Sequence, residues 1–357
     1  MYLPSYLSAT PRQRRYFDKS DVKREVVIFC TADEVSDAIA WYMEVAGRPP
    51  FAIATVKDVK CDVGSSLLMK TKRINTSPHL LCIVFGISAR RKCVELARYG
   101  ISDLVLDRDP KFRNSKFYSS YFADYSGKLQ SVFEMLEDEE SRLSYASVIK
   151  HRVTGDHGYL RIAKYREYCH PLVRAEPGDT VIDGGASNGH TSFSFGRSVG
   201  PNGQVFAVEP DPTNANAIMK SIKTLGVTNV ELLQLALADE NGFMRFSATS
   251  DGSSRLEIKG NITVPTKRID DFDLDRCDLI SLDVEGAEAA AIRGAQRVIL
   301  KHRPKLQISI YHRHEDLFEL PLMVREMVPD YAFFIGHHDA YHSETDLYAI
   351  PRERLQP

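Results

Sequence analysis

The 357-residue sequence predicts an α/β fold: a C-terminal domain on a mostly parallel sheet with an antiparallel terminal hairpin, preceded by a smaller N-terminal α/β domain. Three observations predict it. Short apolar runs alternate with helix-length segments in both halves of the chain, the pattern of strands joined by crossover helices. The run Thr180-Val-Ile-Asp183-Gly-Gly-Ala-Ser-Asn-Gly189 is an apolar strand that ends on an acid and turns through glycines. Finally, Tyr331-Ala-Phe-Phe-Ile335 and Asp346-Leu-Tyr-Ala-Ile350 are apolar runs joined by a polar loop, so the last two strands add an antiparallel edge.

Four segments follow in order. Residues 1–24 form a basic tail through Arg12, Arg14, Arg15, Lys19, Lys23 and Arg24, which reads as a solvated terminus. Residues 25–125 form the N-terminal domain, with strands over 25–30, 51–56, 80–85 and 104–106 and helices over 33–46 and 89–99, each helix stopped by a glycine. The alternation is Rossmann-like. Its first strand-to-helix turn, Cys30-Thr-Ala-Asp-Glu-Val35, lacks the glycines that a phosphate seat requires, so this domain reads as a packing or partner-contact unit. Residues 126–174 are a charged, helix-prone connector whose Tyr159, Tyr165 and Tyr168 either roof a pocket or, the preferred reading, dock the connector. Residues 175–357 form the C-terminal domain. Its strands begin at Thr180, Gln204 and Val230 and continue over 278–283 and 305–310, with helices from Thr191 and Pro212 and over 288–301 and 320–327.

Composition excludes several classes. A formal net charge of −2 gives no general attraction to nucleic acid or to anionic membrane. The sequence has neither an apolar stretch long enough to span a bilayer nor a signal-peptide pattern, so a cytoplasmic protein is expected. The six cysteines, Cys30, Cys61, Cys82, Cys93, Cys169 and Cys277, form no C-x-x-C pair and read mostly as small core residues. Nothing in the sequence decides whether the chain forms a homo-oligomer.

The glycine turn carries the functional signal. Gly184, Gly185 and Gly189 let the backbone turn tightly and approach a ligand, with Ala186 and Ser187 between them. About twenty residues on, a second apolar strand ends at Glu209-Pro210, where an acid can take both hydroxyls of a ribose. The acid at Asp183 selects among adenosyl cofactors. A dinucleotide brings a pyrophosphate to this turn, which a carboxylate would repel. S-adenosylmethionine has no phosphate and carries an ammonium group that Asp183 or its neighbours would attract, so it is preferred over NAD.

Ligands of open α/β sheets lie beyond the carboxyl ends of the strands. There the sequence places Asp183, Glu209, residues 236–239 as the end of the third strand, Asp283 with Glu285, and Tyr311 with His312. Asp283, Glu285 and His312 are the candidate catalytic residues: each could accept a proton from a hydroxyl undergoing methylation. For the two acids the structural alternative is helix N-capping before Gly286. His337, His338 and His342 do not have a recognised zinc spacing, and adjacent strand residues face opposite ways, so no metal site is assigned. A magnesium ion at Asp283 and Glu285 is the more plausible metal alternative. Asp251-Gly-Ser-Ser254 reads either as a mobile loop over the site or as a plain turn.

Three blocks resemble the FkbM-type S-adenosylmethionine-dependent methyltransferases: Val181-Ile-Asp-Gly-Gly-Ala-Ser-Asn-Gly189, Val208-Glu-Pro-Asp-Pro212, and Leu282-Asp-Val-Glu-Gly-Ala-Glu288 continuing to Arg293-Gly-Ala295. The resemblance covers residues 168–351 and extends to longer members with an extra N-terminal domain. It implies a seven-stranded Rossmann-like methyltransferase fold and O-methylation of a hydroxyl on a sugar, polysaccharide or complex natural product. It also implies cofactor contacts at Asp183, Gly185, Ala186, Gly189 and Glu209, with an adenine contact near Ala236. Where the family often carries a lysine before the third block, this chain has Ser281-Leu282. A cofactor-binding scaffold without catalysis and a nicotinamide-dependent dehydrogenase are the alternatives.

Overall fold

The computed structural model describes residues 25–32, 34–55, 66–68, 80–85, 96, 104–106, 115–155, 159–247, 255–256, 262–339 and 342–355. The basic tail, nearly all of the expected helix over 89–99, the Asp251–Ser254 segment, Cys61 and Cys93 lie outside them. The chain divides into two compact units, one of residues 1–126, 146–161 and 339–342, the other of residues 127–145, 162–338 and 343–357.

The first unit holds an all-parallel five-stranded sheet in the order β3-β2-β1-β4-β5. Its strands are β1 (Glu25–Cys30), β2 (Ala52–Thr55), β3 (Leu67–Leu68), β4 (Leu80–Val84) and β5 (Leu104–Leu106). The two-residue β3 was not expected. Helix α1 (Val35–Ala46) packs Val35, Ala38 and Tyr42 against Val26, Ile28, Ile53 and Ile83 of the sheet. A continuous apolar strand buried on both faces is the arrangement that parallel sheets favour. In the turn between β1 and α1, the Glu34 carboxylate accepts the Thr31 backbone N–H at 2.8 Å, so the turn is closed by its own side chain.

Three helices follow: α2 (Ser115–Asp124), α3 (Ser126–Met135) and α4 (Glu139–Thr154). The second unit is built on a seven-stranded sheet in the order β15-β16-β14-β13-β6-β7-β8. Here β6 is Thr180–Gly184, β7 Gln204–Val208, β8 Val230–Leu233, β13 Leu279–Leu282 and β14 Lys305–Ser309. These five run parallel, while β15 (Tyr331–His337) and β16 (Thr345–Pro351) join antiparallel, as the sequence predicts. The register sets Ser281 beside Asp183 and Leu282 beside Gly184, so β6 and β13 end together.

Helices complete this unit's layers. Helix α5 (His190–Val199) follows the glycine turn, and α6 (Pro212–Leu225) starts at Asp211, whose carboxylate accepts from Thr213 N, and stops at Gly226. The single helix expected over 288–301 is instead α7 (Glu288–Arg293) and α8 (Gln296–His302). The break falls at Gly294, where an added Cβ would stand 2.0 Å from the Ala238 carbonyl oxygen.

Helix α9 (Asp316–Met327) begins four residues earlier than expected and carries Pro321 in its interior. Proline cannot donate to the carbonyl four residues before it. That carbonyl, Leu317 O, accepts the buried Tyr145 hydroxyl at 2.9 Å, so tertiary packing satisfies what the helix leaves open.

One sheet was not anticipated. Strands β9 (Ala236–Leu237), β10 (Gly242–Ser247), β11 (Arg255–Leu256) and β12 (Ile262–Lys267) form a separate sheet in the order β11-β10-β12-β9. Residues 236–239 therefore do not end the third strand of the main sheet: β8 stops at Leu233, and Ala236 starts a strand paired in parallel with β12.

Candidate functional site

A cleft opens at the carboxyl ends of β6, β7, β13 and β14, where an open α/β sheet receives its ligands. From β6 it is lined by Gly185 and Ser187, from β7 by Val208, Glu209 and Pro210, and from α6 by Asn214. Leu235, Ala236 and Leu237 form the wall beside β9. The opposite end carries Asp283, Val284, Glu285, Ala287, Tyr311 and Glu344.

Local backbone chemistry builds the first end. Gly185 has φ +85°, and an added Cβ would lie 1.8 Å from the Asp283 carbonyl oxygen, so only glycine lets the turn pass β13. The N–H groups of Gly185 and Ala186 both donate to Val208 O at 3.0 Å, which ties the turn to the end of β7. Across it, Glu209 accepts Ser187 N at 2.7 Å and Asp211 N at 2.8 Å through different carboxylate oxygens. Each oxygen retains a further lone pair for a ligand hydroxyl. Burial lifts Glu209 to about 7, against the pull of these two N–H groups.

The sequence-derived cofactor residues divide into two sets. Gly185, Ser187, Glu209, Pro210 and Ala236 line the cleft; Asp183, Gly184, Ala186 and Gly189 are not among its lining residues. Asp183 is 3% exposed and accepts a hydrogen bond from the Ser192 hydroxyl on α5. This differs from the expected carboxylate directed at a ligand, because α5 covers the face on which its side chain lies. Burial lifts Asp183 to about 7, with Asp283 and Glu209 adding to the rise and Ser192 opposing it. Gly184 is needed for packing, since a Cβ there would meet Leu237 at 2.6 Å, and at Gly189 one would meet Phe193 at 2.9 Å.

At the other end the candidate catalytic residues do come together. His312 Nε2 stands 3.3 Å from Asp283 Oδ1 and 3.4 Å from Glu285 Oε2, and Nδ1 lies 3.0 Å from Glu288 Oε1. The Tyr168 hydroxyl donates to Asp283 Oδ2 at 3.2 Å, so this connector tyrosine reaches the site while also packing edge-on against Phe195. Burial lifts Asp283 to about 6; His312 resists this and Glu344 and Glu288 reinforce it. For His312, burial favours the neutral ring, but Glu288, Asp283 and Glu285 outweigh it and raise the ring to about 9. A rise in that direction favours the protonated ring at neutral pH and weighs against His312 as a general base.

The capping alternative for Asp283 and Glu285 does not hold. The N-cap of the following helix is Ala287, with no side-chain cap, and Glu288 instead accepts Val284 N at 2.9 Å and Gly286 N at 3.2 Å from the loop before it. Asp283, Glu288 and His312 each offer an atom within 4.8 Å of the others, a set that replaces Glu285 of the magnesium alternative with Glu288 and the imidazole. The imidazole ring lies between the carboxylates. His337 and His338 are engaged elsewhere, with Thr345 Oγ1 at 2.8 Å and the Tyr348 hydroxyl at 2.9 Å.

Backbone strain marks the same place. Among the described residues five non-glycines have positive φ: Tyr168, Ser187, Glu285, Arg303 and Glu344. Ser187, Glu285 and Glu344 line the cleft, and Tyr168 bonds to Asp283. Such conformations cost of order 1–3 kcal/mol each and persist where the surroundings enforce them. Sequence reasoning did not assign Glu344, Glu288, Asn214 or Leu235 to the site, whereas Leu237 falls within the 236–239 segment that it placed on the rim. Only Glu288 had a signal, its place in the third block.

No described helix is long and apolar enough to cross a membrane. Cys30, Cys82 and Cys277 are buried free thiols, whereas Cys169 is exposed.

Comparison with known proteins agrees with this geometry. Residues 183–335 match the model of the methyltransferase FkbM domain. Over 180 residues the chain is 27% identical to 2-O-methyltransferase NoeI of Sinorhizobium fredii (strain NBRC 101917 / NGR234), covering 43% of this chain and 71% of that protein. The fold matches the crystal structure of methyltransferase FkbM from Methylobacillus flagellatus KT with a TM-score of 0.70 and 18% identity, over 97% of this chain and 98% of that one. The stretch that matches the methyltransferase FkbM domain model holds the glycine turn, the Glu209 rim and the acid-rich end of β13.

Proposed function

We propose that the chain is an S-adenosylmethionine-dependent O-methyltransferase acting on a hydroxyl of a sugar, polysaccharide or complex natural product. The observation that carries this reading is Glu209: a carboxylate at the cleft rim, fixed by two backbone N–H groups, with lone pairs left for the two hydroxyls of a ribose. The cleft is lined by Glu209, Asp283, Glu285 and Glu344, carboxylates that would repel a pyrophosphate. Gly185 lets the turn pass close to the end of β13, Pro210 and Ala236 supply apolar contact, and Asp183, Gly184, Ala186 and Gly189 shape the turn from behind. The 2-O-methyltransferase relative supports oxygen as the accepting atom.

When bound, the cofactor supplies an electrophilic methyl group on sulfur. The protein's part is to align the acceptor oxygen and to remove its proton as the new bond forms. Asp283 lines the cleft, is ionised above about pH 6, and is close enough to neutrality in its affinity for a proton to serve as the base.

Calorimetry with S-adenosylhomocysteine and NAD tests the cofactor, with tighter binding of the homocysteine compound expected. Preference for NAD would sink the reading. Incubation with methyl-labelled donor and a panel of glycans and natural-product alcohols then tests transfer; binding without transfer to any hydroxyl would favour a non-catalytic scaffold.

A further inference from the structure

The His312 side chain is 9% exposed, and neither of its ring nitrogens makes a hydrogen bond. Carboxylates nonetheless crowd both sides of the ring. Nε2 lies 3.3 Å from Asp283 Oδ1 and 3.4 Å from Glu285 Oε2, and Nδ1 lies 3.0 Å from Glu288 Oε1. At such separations a ring N–H pointed at an oxygen would be bonded to it, so these oxygens stand to the side of the nitrogen axes. Buried polar atoms of native folds are nearly always satisfied, and one without a protein partner calls for a water or an ion. A coordinated ion lies on the axis of an imidazole nitrogen, with its other ligands off that axis. Ligand atoms that share one ion at about 2.1 Å stand roughly 3.0–3.4 Å apart at right-angle to tetrahedral geometry, which is the spacing of the carboxylate oxygens from this ring.

We propose that Asp283, Glu288 and His312 form a binding site for a divalent cation at the acid-rich end of the cleft. One atom from each lies within 4.8 Å of the others. Two carboxylates and an imidazole suit an ion that takes oxygen and nitrogen alike, Mn²⁺ or Zn²⁺ rather than Ca²⁺. Glu285, which lines the cleft, brings a further oxygen to the Nε2 side of the ring. Glu288 is 1% exposed, and its Oε1 accepts Val284 N and Gly286 N, so the loop after β13 fixes this ligand in advance. A carboxylate accepts at about four positions, so two N–H groups hold Glu288 without using it up.

The proposal deepens the methyl-transfer reading: ion binding stands by itself, and the ion's chemical part rests on that reading. Asp283 belongs both to the cluster and to the cleft wall, so an ion held by it stands at the edge of the cavity. An acceptor hydroxyl bound to the ion loses its proton more readily. That proton passes to the Asp283 oxygen that does not hold the ion and then to water. A lone pair of the acceptor oxygen forms the bond to the methyl carbon, and the carbon–sulfur pair stays on sulfur. A proton on the ring is the ion's competitor, since the same carboxylates attract either cation and a ring nitrogen has one lone pair to give.

The test is Mn²⁺ binding to the full-length protein, stripped with EDTA and dialysed, followed by electron paramagnetic resonance. Stoichiometric binding is expected at micromolar Mn²⁺, and the pulsed spectrum of the bound ion should show modulation by an imidazole nitrogen. Glu288→Gln keeps an oxygen for the Val284 and Gly286 N–H groups but loses the charge, and should weaken Mn²⁺ binding by roughly tenfold or more. His312→Gln should weaken it as much and remove the nitrogen modulation. Neither residue is among those that line the cleft, so both variants should keep affinity for S-adenosylhomocysteine within about twofold. If neither variant folds, the nitrogen modulation in the unsubstituted protein carries the test. Absence of stoichiometric Mn²⁺ and Zn²⁺ binding, binding that His312→Gln leaves unchanged, or a bound-ion spectrum without nitrogen modulation overturns the proposal. Methyl transfer undiminished by excess EDTA overturns the ion's part in the reaction. Failure to bind S-adenosylhomocysteine would instead count against the methyl-transfer reading and leave the ion site standing as a separate result.

Discussion

The β1–α1 and β6–α5 turns begin alike, with an apolar parallel strand running into a helix, and end as opposites. In the first, Glu34 lies within its own turn and accepts Thr31 N, so the turn's donor is used internally. In the second, the acid that meets the turn comes from the next strand: Glu209 accepts Ser187 N across the gap, and the cleft lies beside both. Glycine makes the difference. Gly185 at φ +85° passes within a Cβ's reach of the Asp283 carbonyl oxygen, whereas the described part of the first turn has no residue of positive φ. A strand–turn–helix unit is therefore not a cofactor seat by topology alone. The seat needs a turn compact enough for a neighbouring strand to supply the carboxylate.

The sharpest way to break this comparison is a methyl group. Gly185→Ala puts a Cβ 1.8 Å from the Asp283 carbonyl oxygen and should cost more than about 3 kcal/mol, through steric displacement added to the left-handed backbone penalty. Gly47→Ala, at φ +70° with nothing within 4 Å of the new Cβ, should cost roughly 1 kcal/mol. Denaturant melts of the two variants give both numbers. Equal losses would mean that the tight passage at β13 carries no special weight.

A smaller effect separates the two acids. Glu209→Ala should weaken binding of S-adenosylhomocysteine by about 1–3 kcal/mol through a lost charged hydrogen bond. Glu34→Ala, in the other turn, should leave that affinity unchanged. Calorimetry on both variants decides it, and loss of affinity in the Glu34 variant would show that the turns are not independent.

The third test concerns the acid beneath the glycine turn. Asp183 rises from an ordinary carboxylate value to about 7 when buried, so the folded state binds its proton more tightly than the unfolded state does. Stability without cofactor should fall as pH rises between about 4 and 7, with a slope from this group of at most about 1.4 kcal/mol per pH unit, and level off above. Asp183→Asn should remove that share of the slope and leave the part due to Glu209, which shifts in the same direction. Thermal melts across this range would show it; an unchanged slope would mean that Asp183 ionises normally in the fold.

Much of the architecture was legible because parallel strands buried on both faces are nearly continuously apolar, as Val26 to Phe29 are throughout and Leu279 to Leu282 are but for Ser281. The β9–β12 sheet was not. In β10, Phe243 is 76% exposed, and Pro265 in β12 argues against a strand when only sequence is considered. The split between α7 and α8 likewise depends on the Ala238 carbonyl, 56 positions from Gly294 and invisible to local pattern. At the site, Asp283, Glu285 and His312 were nameable as a group because each follows a strand of one sheet. Glu344 arrives from the loop before β16 and Tyr168 from the connector, and no spacing rule links either to the glycine turn.

By itself the sequence determined the long strands of the two main sheets, the glycine turn and the acids at the strand ends, because apolar periodicity and glycine's missing Cβ act over a few residues. Only the tertiary structure decided that Glu209 faces the cleft while Asp183 lies under α5, and that the His312 ring lies among Asp283, Glu285 and Glu288. Burial and charge compensation fix such states, and both depend on groups that the fold brings together from distant parts of the chain.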